Sequence, residues 1–565
     1  MGGWARAVGD LKTASRQHES KSIERTGTVL HFRPRLLDSL AGYSPTAFLA
    51  DLGAGVTVAA VALPLAMAFA IASGLTPQAG IATGIVAGFL ISALGGSRVQ
   101  IGGPAGAYIV VVYGIVERFG VANLMVATLM AGLLLLVMGL FRVGNLVRYV
   151  PITIVIGFTN GIAVVVAIAQ IKDFFGLRVT SLPADFFAKL DALAAHLHTF
   201  NSQACLLAIV SLAFLAAWPR LAAGLGARGG RVAAAVPGPV IVLAGATAFV
   251  MLASPAIDTI GSRFGKIPQA LPHFSLPDVE WLTVKALIPS AITLALLGAI
   301  ESLLCARVAD AMINDRHDPN QELMAQGIAN MASPLFGGYA ATGTIARTVT
   351  NVKSGASTPI AGMIHALALL AIVLVAAPLT GHVPMAALAA ILVMVAYNMG
   401  EWREFKRLLR FSYYYRITLL TTFVLTVVVD LTIAVEVGLL LACLFFVTRM
   451  ASLTRLEPLA DVSAYGPQAE GWRLTGSLFF GAIGKLDELL DPRRTTPPAL
   501  VLDVSALISL DNTGLEALET LHGLQQRNGG RLVLLGLAGQ PRDLAERSGF
   551  LAVIGVQNAS ASAAN

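Results

Sequence analysis

Charged positions are missing from this chain in blocks. Between Asp51 and Arg98, and again between Lys353 and Glu401, there is no Asp, Glu, Lys or Arg. Each block holds two helices at about 20 residues per membrane crossing. Shorter charge-free runs cover residues 119–141, 149–171, 232–257, 286–300 and 437–448. A soluble core helix is this apolar once in a chain, not again and again along it. In hydrocarbon only helices and closed barrels satisfy their own backbone polar groups. The runs lack the period-two alternation of a barrel strand. The pattern therefore predicts a polytopic α-helical membrane protein, with about fourteen helices over residues 46–450.

The pattern changes after Arg449. Charges return and the apolar runs shorten to strand length. Trp472–Phe480, Ala499–Val504 and Arg531–Gly536 read as strands. Ala482–Leu490, Thr513–Arg527 and Pro541–Ser548 read as helices. Alternation of this kind predicts a small soluble α/β domain over residues 456–556. Residues 557–565 form an Ala/Ser/Asn tail, and residues 1–45 a polar N-terminal segment without the apolar core of a signal peptide.

Composition sharpens this picture. Of 565 residues, 13% are charged and 56% are hydrophobic, against about 25% charged in a soluble protein. An ordinary cytosolic enzyme and a disordered chain are excluded. The 39 basic and 33 acidic residues give +6, but the basic ones are spread out. A nucleic-acid binder gathers them on one face, so no nucleic-acid partner is expected. They report orientation instead. With both termini in the cytoplasm, inner loops hold Arg98, Arg142, Arg148, Arg220, Arg228, Arg231, Arg316, Lys353, Arg403, Lys406, Arg407, Arg410 and Arg449, and outer loops hold fewer: Arg118, Lys172, Arg178, Lys189, Arg263, Lys266, Lys285 and Arg416. The positive-inside rule favours that orientation. Cys205, Cys305 and Cys443 lie far apart in apolar stretches. They imply no disulfide framework and no metal site. No nucleophile–base pair, phosphate loop or metal cluster is visible, so neither an enzyme nor a cofactor is expected.

Two segments are too short and too glycine-rich to cross the membrane alone. One begins at Ile101-Gly-Gly-Pro-Ala-Gly-Ala107 and the other at Phe336-Gly-Gly-Tyr-Ala-Ala-Thr-Gly-Thr344, about 235–240 residues on. Broken segments at matching positions of two halves point to an inverted-repeat transporter, with repeats at about 46–255 and 283–450. Half-helices that start at mid-membrane aim their N-terminal N–H groups at one spot. Each carries roughly half a positive charge, and two facing ends make an anion site. Pro104 and Thr344 mark the two half-helix starts. Ala105 and Gly106 from one break, and Gly343 and Thr344 from the other, are the candidate backbone donors at an anion site between them.

Ionisable residues at membrane depth are functional candidates. Glu301 stands in Ala299-Ile-Glu-Ser-Leu-Leu-Cys-Ala306. It can carry a proton during transport or bind a cation. Arg347 lies one turn past the second break, where its guanidinium can present two N–H groups to an oxyanion. Thr342, Thr344 and Thr348 add hydroxyl donors. Asp430, Glu436, Arg307 and Asp310 read as structural, the last two as an i, i+3 pair. His365 and His382 read as satisfied core groups.

These residues resemble the SulP anion-transporter family. The resemblance is carried by Leu63-Pro-Leu-Ala-Met-Ala-Phe-Ala70 and by the Gly103-Pro-Ala break. It continues in Gly298-Ala-Ile-Glu-Ser, Gln321-Glu-Leu-Met-Ala-Gln-Gly327 and Ala346-Arg-Thr-Val-Thr-Asn351. Residues 456–556 resemble the STAS domain that follows the membrane part in this family. The resemblance implies seven plus seven inverted transmembrane segments, divided into core and gate domains. It also implies an elevator-like movement, a homodimer and a lipid-embedded protein of the bacterial inner membrane. It implies that Phe69 lines the anion site.

Within the family, Glu-Ser-Leu-Leu-Cys and Ile-Ala-Arg-Thr resemble the bacterial C4-dicarboxylate (fumarate) carriers. Sodium-coupled bicarbonate members have Asp where Glu301 stands, Thr where Cys305 stands, and no arginine at Arg347. Leu65 replaces a glutamine common in sulfate-type members. These departures favour a small anion carried with a proton on Glu301, most of all a C4-dicarboxylate. Sulfate or bicarbonate transport, and a non-transporting sensor acting through the STAS domain, are the alternatives. Stand-alone STAS domains carry a phosphorylated serine directly after an aspartate. Here the turn is Asp511-Asn-Thr-Gly514, which leaves Thr513 as the candidate regulatory position and a cytoplasmic protein as the domain's candidate partner.

Overall fold

A computed structural model describes residues 32–147, 151–179, 182–183, 185–224, 237–253, 255–265, 274–276, 281–429, 431–555 and 559–560. The expectations for most of the N-terminal segment, for Arg148, Arg228, Arg231, Lys266 and Asp430, and for most of the tail lie outside these residues. Seven helices among the described residues are long and apolar enough to cross a membrane, and four shorter ones are apolar. In chain order the principal helices begin with α1 (Pro45–Ala72) and α2 (Pro77–Leu94). Strand β1 (Gly102–Gly103) comes before α3 (Ile109–Leu140), α4 (Ile152–Ala169), α5 (Ser202–Gly224) and α6 (Gly238–Ala253). Then come α7 (Trp281–Ile313), α8 (Pro319–Leu335), β2 (Thr342–Gly343), α9 (Ile345–Lys353) and α10 (Ile360–Thr380). The membrane part closes with α11 (Met385–Met399), α12 (Tyr413–Val428) and α13 (Leu431–Leu453).

Helix starts follow local chemistry. The Ser44 hydroxyl accepts from the Ala47 N–H at 3.2 Å, with Pro45 in the first turn of α1. Asp318 caps α8 in front of Pro319. Such acceptors satisfy N–H groups that have no partner inside the helix, and proline there gives up no bond. Within α3 the helix breaks at Gly120 (φ 81°, ψ 171°), a conformation L side chains disfavour. One stretch thus carries the half-helix after β1 and the next apolar run.

Helices α1, α2, α3, α7, α8 and α10 pack into one bundle. Helices α4, α5, α6 and α11 form a second, which meets the first along α1 and α3. Lipid offers no hydrophobic drive for helix pairing, so close contact of small residues matters. A Cβ on Gly132 of α3 would lie 2.8 Å from the Gly327 carbonyl oxygen of α8. Buried Asp51 ties α1 to the loop before α10. It accepts from the Ser357 and Thr358 N–H groups at 2.8 and 3.3 Å, from the Tyr43 hydroxyl at 3.0 Å, and from the Thr358 hydroxyl. The expected Arg307–Asp310 pair is not formed. The chain after α7 folds back, and His317 takes Asp310 instead, at 2.6 Å from its Nδ1 and 3.1 Å from its backbone N–H.

By contacts the chain divides into two compact units, Met1–Leu408 with Leu420–Val435, and Leu409–Leu419 with Glu436–Asn565. The second carries a sheet in the order β3-β4-β5-β7-β8, with β6 pairing β4. Its strands are β3 (Arg455–Pro458), β4 (Glu470–Leu478), β5 (Ala499–Asp503), β6 (Leu507–Leu510), β7 (Arg531–Leu535) and β8 (Ala559–Ser560). Only β3 runs antiparallel to its neighbour. Helices α14 (Asn512–Arg527), α15 (Gly539–Arg547) and α16 (Phe550–Ile554) complete the domain. Leu474, Leu502, Leu518, Leu521, Leu534 and Phe550 lie in its core. The expected helix Ala482–Leu490 is a 3₁₀ turn, Ile483–Lys485, and a single helical turn, Asp487–Leu490.

His522 of α14 is buried, its ring 6.1 Å from that of Phe550. Burial holds the imidazole below its ordinary value of 6.5. The unfolded chain therefore binds the proton more readily. Stability of this domain is full above about pH 6.5 and falls as pH drops towards the lower folded value. Proteolysis of the full chain at pH 7.5 and 5.5 is expected to show this loss, and His522→Gln to reduce it.

Candidate functional site

Strands β1 and β2 pair antiparallel, with Gly102 opposite Gly343 and Gly103 opposite Thr342. Extended backbone at membrane depth is tolerated only where protein buries it or a cavity receives it, and these four residues are buried. The crossing is tied from both sides. The Thr344 N–H and hydroxyl both donate to the Ile101 carbonyl, each at 2.9 Å. The Ile101 N–H donates to the Thr348 hydroxyl oxygen at 2.9 Å. The Thr342 hydroxyl donates to the Gly298 carbonyl at 3.0 Å. The protons of Thr342 and Thr344, expected to face a ligand, are thus spent on holding the crossing.

Immediately after each strand a helix begins. One start is the 3₁₀ turn Gly106–Tyr108 leading into α3, with Ala105 at the cap position. The other is α9, with Thr344 at the cap position. Neither start has a side-chain cap. Their first N–H groups have no intrahelical partner and carry partial positive charge.

Arg347, in the first turn of α9, is only 1% exposed. Its Nη2 donates to the Pro104 carbonyl at 3.3 Å, while Nε and Nη1 have no partner among the described residues. Nη1 lies 2.5 Å from where a Cβ on Gly103 would stand. The guanidinium therefore sits beneath the crossing and links the two breaks. Pro104 and Ala105 are buried and Gly106 is partly open. Around Gly106 the two bundles meet. Its Cβ position is 3.6 Å from the Phe69 ring of α1 and 3.5 Å from the Met399 sulfur of α11.

Glu301 lies on α7 between two points of contact with β2. Gly298 accepts from Thr342, and the Ser302 Cα is 3.2 Å from the Cβ position of Gly343. The Glu301 side chain is partly exposed and makes no hydrogen bond or ion pair among the described residues. Cys305, one turn on, places its sulfur 3.2 Å from the Thr348 hydroxyl oxygen. The structure thus gathers Phe69, Pro104, Ala105, Gly106, Gly343, Thr344 and Arg347 at one crossing, with Glu301 on the helix beside it. Thr513 lies elsewhere, exposed in the first turn of α14. Asp511 caps that helix, accepting from the Gly514 N–H at 2.7 Å.

His365 differs from expectation. It is wholly buried on α10 against Gly88, and both ring nitrogens lack partners among the described residues. Sequence reasoning also missed a buried cluster of Gln100, Ser302, Glu322 and Gln326 next to β2. A signal was present in Glu322 and Gln326, polar and four apart on one helix face.

Residues 48–422 match the family described as the sulfate permease family, and residues 471–563 match the STAS domain. The chain belongs to the sulfate permease family. It is 40% identical to the putative sulfate transporter YvdB of Bacillus subtilis, over 92% of this chain and 97% of that relative. It is 28% identical to the bicarbonate transporter BicA of Picosynechococcus sp., over 88% of this chain and 90% of that one. Among solved structures, the transmembrane domain of a cyanobacterial BicA matches with a TM-score of 0.62 at 31% identity, over 70% of this chain and 98% of that one. Murine Slc26a9 matches in fold, with a TM-score of 0.81 at 18% identity over 96% of this chain and 95% of that one. The protein is therefore a multi-pass anion transporter of this family, with a BicA- and Slc26a9-like membrane fold and a C-terminal STAS domain.

Proposed function

We propose that this protein is a proton-coupled secondary transporter of small dianions, C4-dicarboxylates of the fumarate and succinate type above all. It would work by an elevator-like movement of the first bundle against the second. One observation carries the reading: two uncapped helix starts meet at a crossing over a buried guanidinium that no carboxylate among the described residues neutralises. An anion at Gly106 and Thr344 supplies the missing charge, with Phe69 as a wall. Glu301, without a hydrogen-bond or ion-pair partner among the described residues, is free to take the proton that accompanies it. Cys305 sets a sulfur one turn away, and hard cations take oxygen ligands, which favours a proton over sodium. The reading includes a homodimer in a bacterial inner membrane, cytoplasmic termini, and a cytoplasmic protein docking on the STAS domain near Thr513. A second reading, sulfate or bicarbonate as the anion, draws on the names of YvdB and BicA.

Uptake of labelled fumarate, succinate, sulfate and bicarbonate into proteoliposomes separates these. The expected result is dicarboxylate uptake stimulated by an inward proton gradient, with the stimulation abolished in Glu301→Gln. Faster sulfate or bicarbonate uptake that ignores the gradient overturns the first reading.

A further inference from the structure

Ser302 is wholly buried, and its hydroxyl is saturated. The oxygen accepts from Gln100 Nε2 at 2.8 Å and from Gln326 Nε2 at 2.9 Å, and the hydroxyl donates to Glu322 Oε1 at 3.2 Å. A hydroxyl has one hydrogen and two lone pairs, so no capacity is left. Glu322 accepts from two further donors. Its Oε1 accepts from Gln326 Nε2 at 3.1 Å and its Oε2 from the Gly96 N–H at 3.0 Å. The cluster joins the end of α2, the approach to β1, and helices α7 and α8.

This cluster forms the floor of β2. A Cβ on Gly343 would lie 1.9 Å from Gln100 Nε2 and 3.2 Å from the Ser302 Cα. The Gln100 amide thus occupies the volume that any side chain at position 343 would need. The strand lies directly on it, and Thr344 and α9 follow at once. Buried polar groups are held by the bonds they make and are released when a partner is removed. The Gln100 and Gln326 carbonyl oxygens have no partner among the described residues, so the bond to Ser302 is what holds the Gln100 amide in place. Without the Ser302 hydroxyl, two amide N–H groups and one carboxylate oxygen lose a partner. The Gln100 amide then has no reason to stay beneath Gly343.

We propose that Ser302 is a positioning residue for anion binding: through Gln100 it fixes β2 and the first turn of α9 at the anion site. The proposal rests on the reading that the anion binds at these helix starts. It does not depend on which anion is carried or on proton coupling.

The test is initial-rate uptake of labelled sulfate and labelled fumarate into proteoliposomes holding the full chain. Ser302→Ala is expected to raise KM about tenfold, the size of one lost buried hydrogen bond, with the maximal rate changed by less than about twofold. Ser302→Thr keeps the hydroxyl and is expected to restore the wild-type KM. Where Ser302→Ala fails to fold, Gln100→Met removes only the amide beneath Gly343 and is expected to raise KM likewise. An unshifted KM, or an Ala and a Thr variant impaired alike, overturns the proposal. So does a fall in maximal rate at constant KM. A wild-type chain that moves neither of these anions nor labelled bicarbonate overturns the transport reading, and the proposal with it. Wild-type uptake with an unshifted Ser302→Ala KM overturns the proposal alone.

Discussion

Arg347→Gln is expected to lose transport while folding at least as stably as the wild type. The two halves of this result have separate causes. Arg347 contributes little to the fold. Its one hydrogen bond, to the Pro104 carbonyl, is long at 3.3 Å, and two of its nitrogens have no partner among the described residues. An unpaired buried cation is costly to keep, so a neutral side chain relieves the interior. An anion at the helix starts would lose the full positive charge of Arg347 beside it. Removing one partner of a buried charged pair costs about 2–5 kcal/mol, so KM rises about 30-fold or more. Arg347→Lys keeps the charge without the planar fork and is expected to fall between. Thermal unfolding in detergent, read beside uptake, checks both halves. A destabilised Arg347→Gln with a normal KM would make the arginine a structural tie to Pro104 and nothing more.

Much of this arrangement was legible in the sequence because membrane depth makes charge and irregular backbone conspicuous. The charge-free blocks mark the helices. The glycine-rich breaks at 101–107 and 336–344 mark the segments that pair as β1 and β2. Glu301 and Arg347 stand out because each follows a long uncharged run in the chain. What stayed hidden has neighbours that disguise it. Asp51 stands just before a charge-free run, where nothing in the chain sets it apart from a residue at the membrane edge. Its donors at Ser357 and Thr358 come from about 300 residues on and bury it completely. Glu322 stands in the polar run Gln321-Glu-Leu-Met-Ala-Gln-Gly327, where nothing in the chain singles it out from its polar neighbours. Only folding carries it to Gly96 and Ser302. The roles of Thr342 and Thr344 were hidden for another reason. A hydroxyl near an expected site suggests a ligand donor, but the two broken strands need ties of their own, and these protons supply them. Sequence shows where polar groups are; it does not show which are already used.

Gly103→Ala is expected to damage the site through the same guanidinium, and its signature differs from that of Arg347→Gln. Gly103 has φ +148°, within the region L side chains seldom adopt, and strain of this kind costs about 1–3 kcal/mol. Its Cβ would also stand 2.5 Å from Arg347 Nη1. The guanidinium is the free end of a long side chain, so it moves and the strand stays. The bond to Pro104 is then lost and the charge leaves the crossing. KM should rise by an amount comparable to that of Arg347→Gln, but with lower thermal stability. Gly106→Ala is the matched comparison. Its new methyl would meet Met399 and Phe69 at 3.5 and 3.6 Å, ordinary contact distances, so stability should hold. The double variant decides how the alanine acts. Residues in contact couple, and the coupling appears as non-additivity. If Gly103→Ala works by displacing the guanidinium, adding it to Arg347→Gln raises KM no further. Additive effects would mean that the shape of the strand itself, not the position of Arg347, is what the anion reads at Gly103.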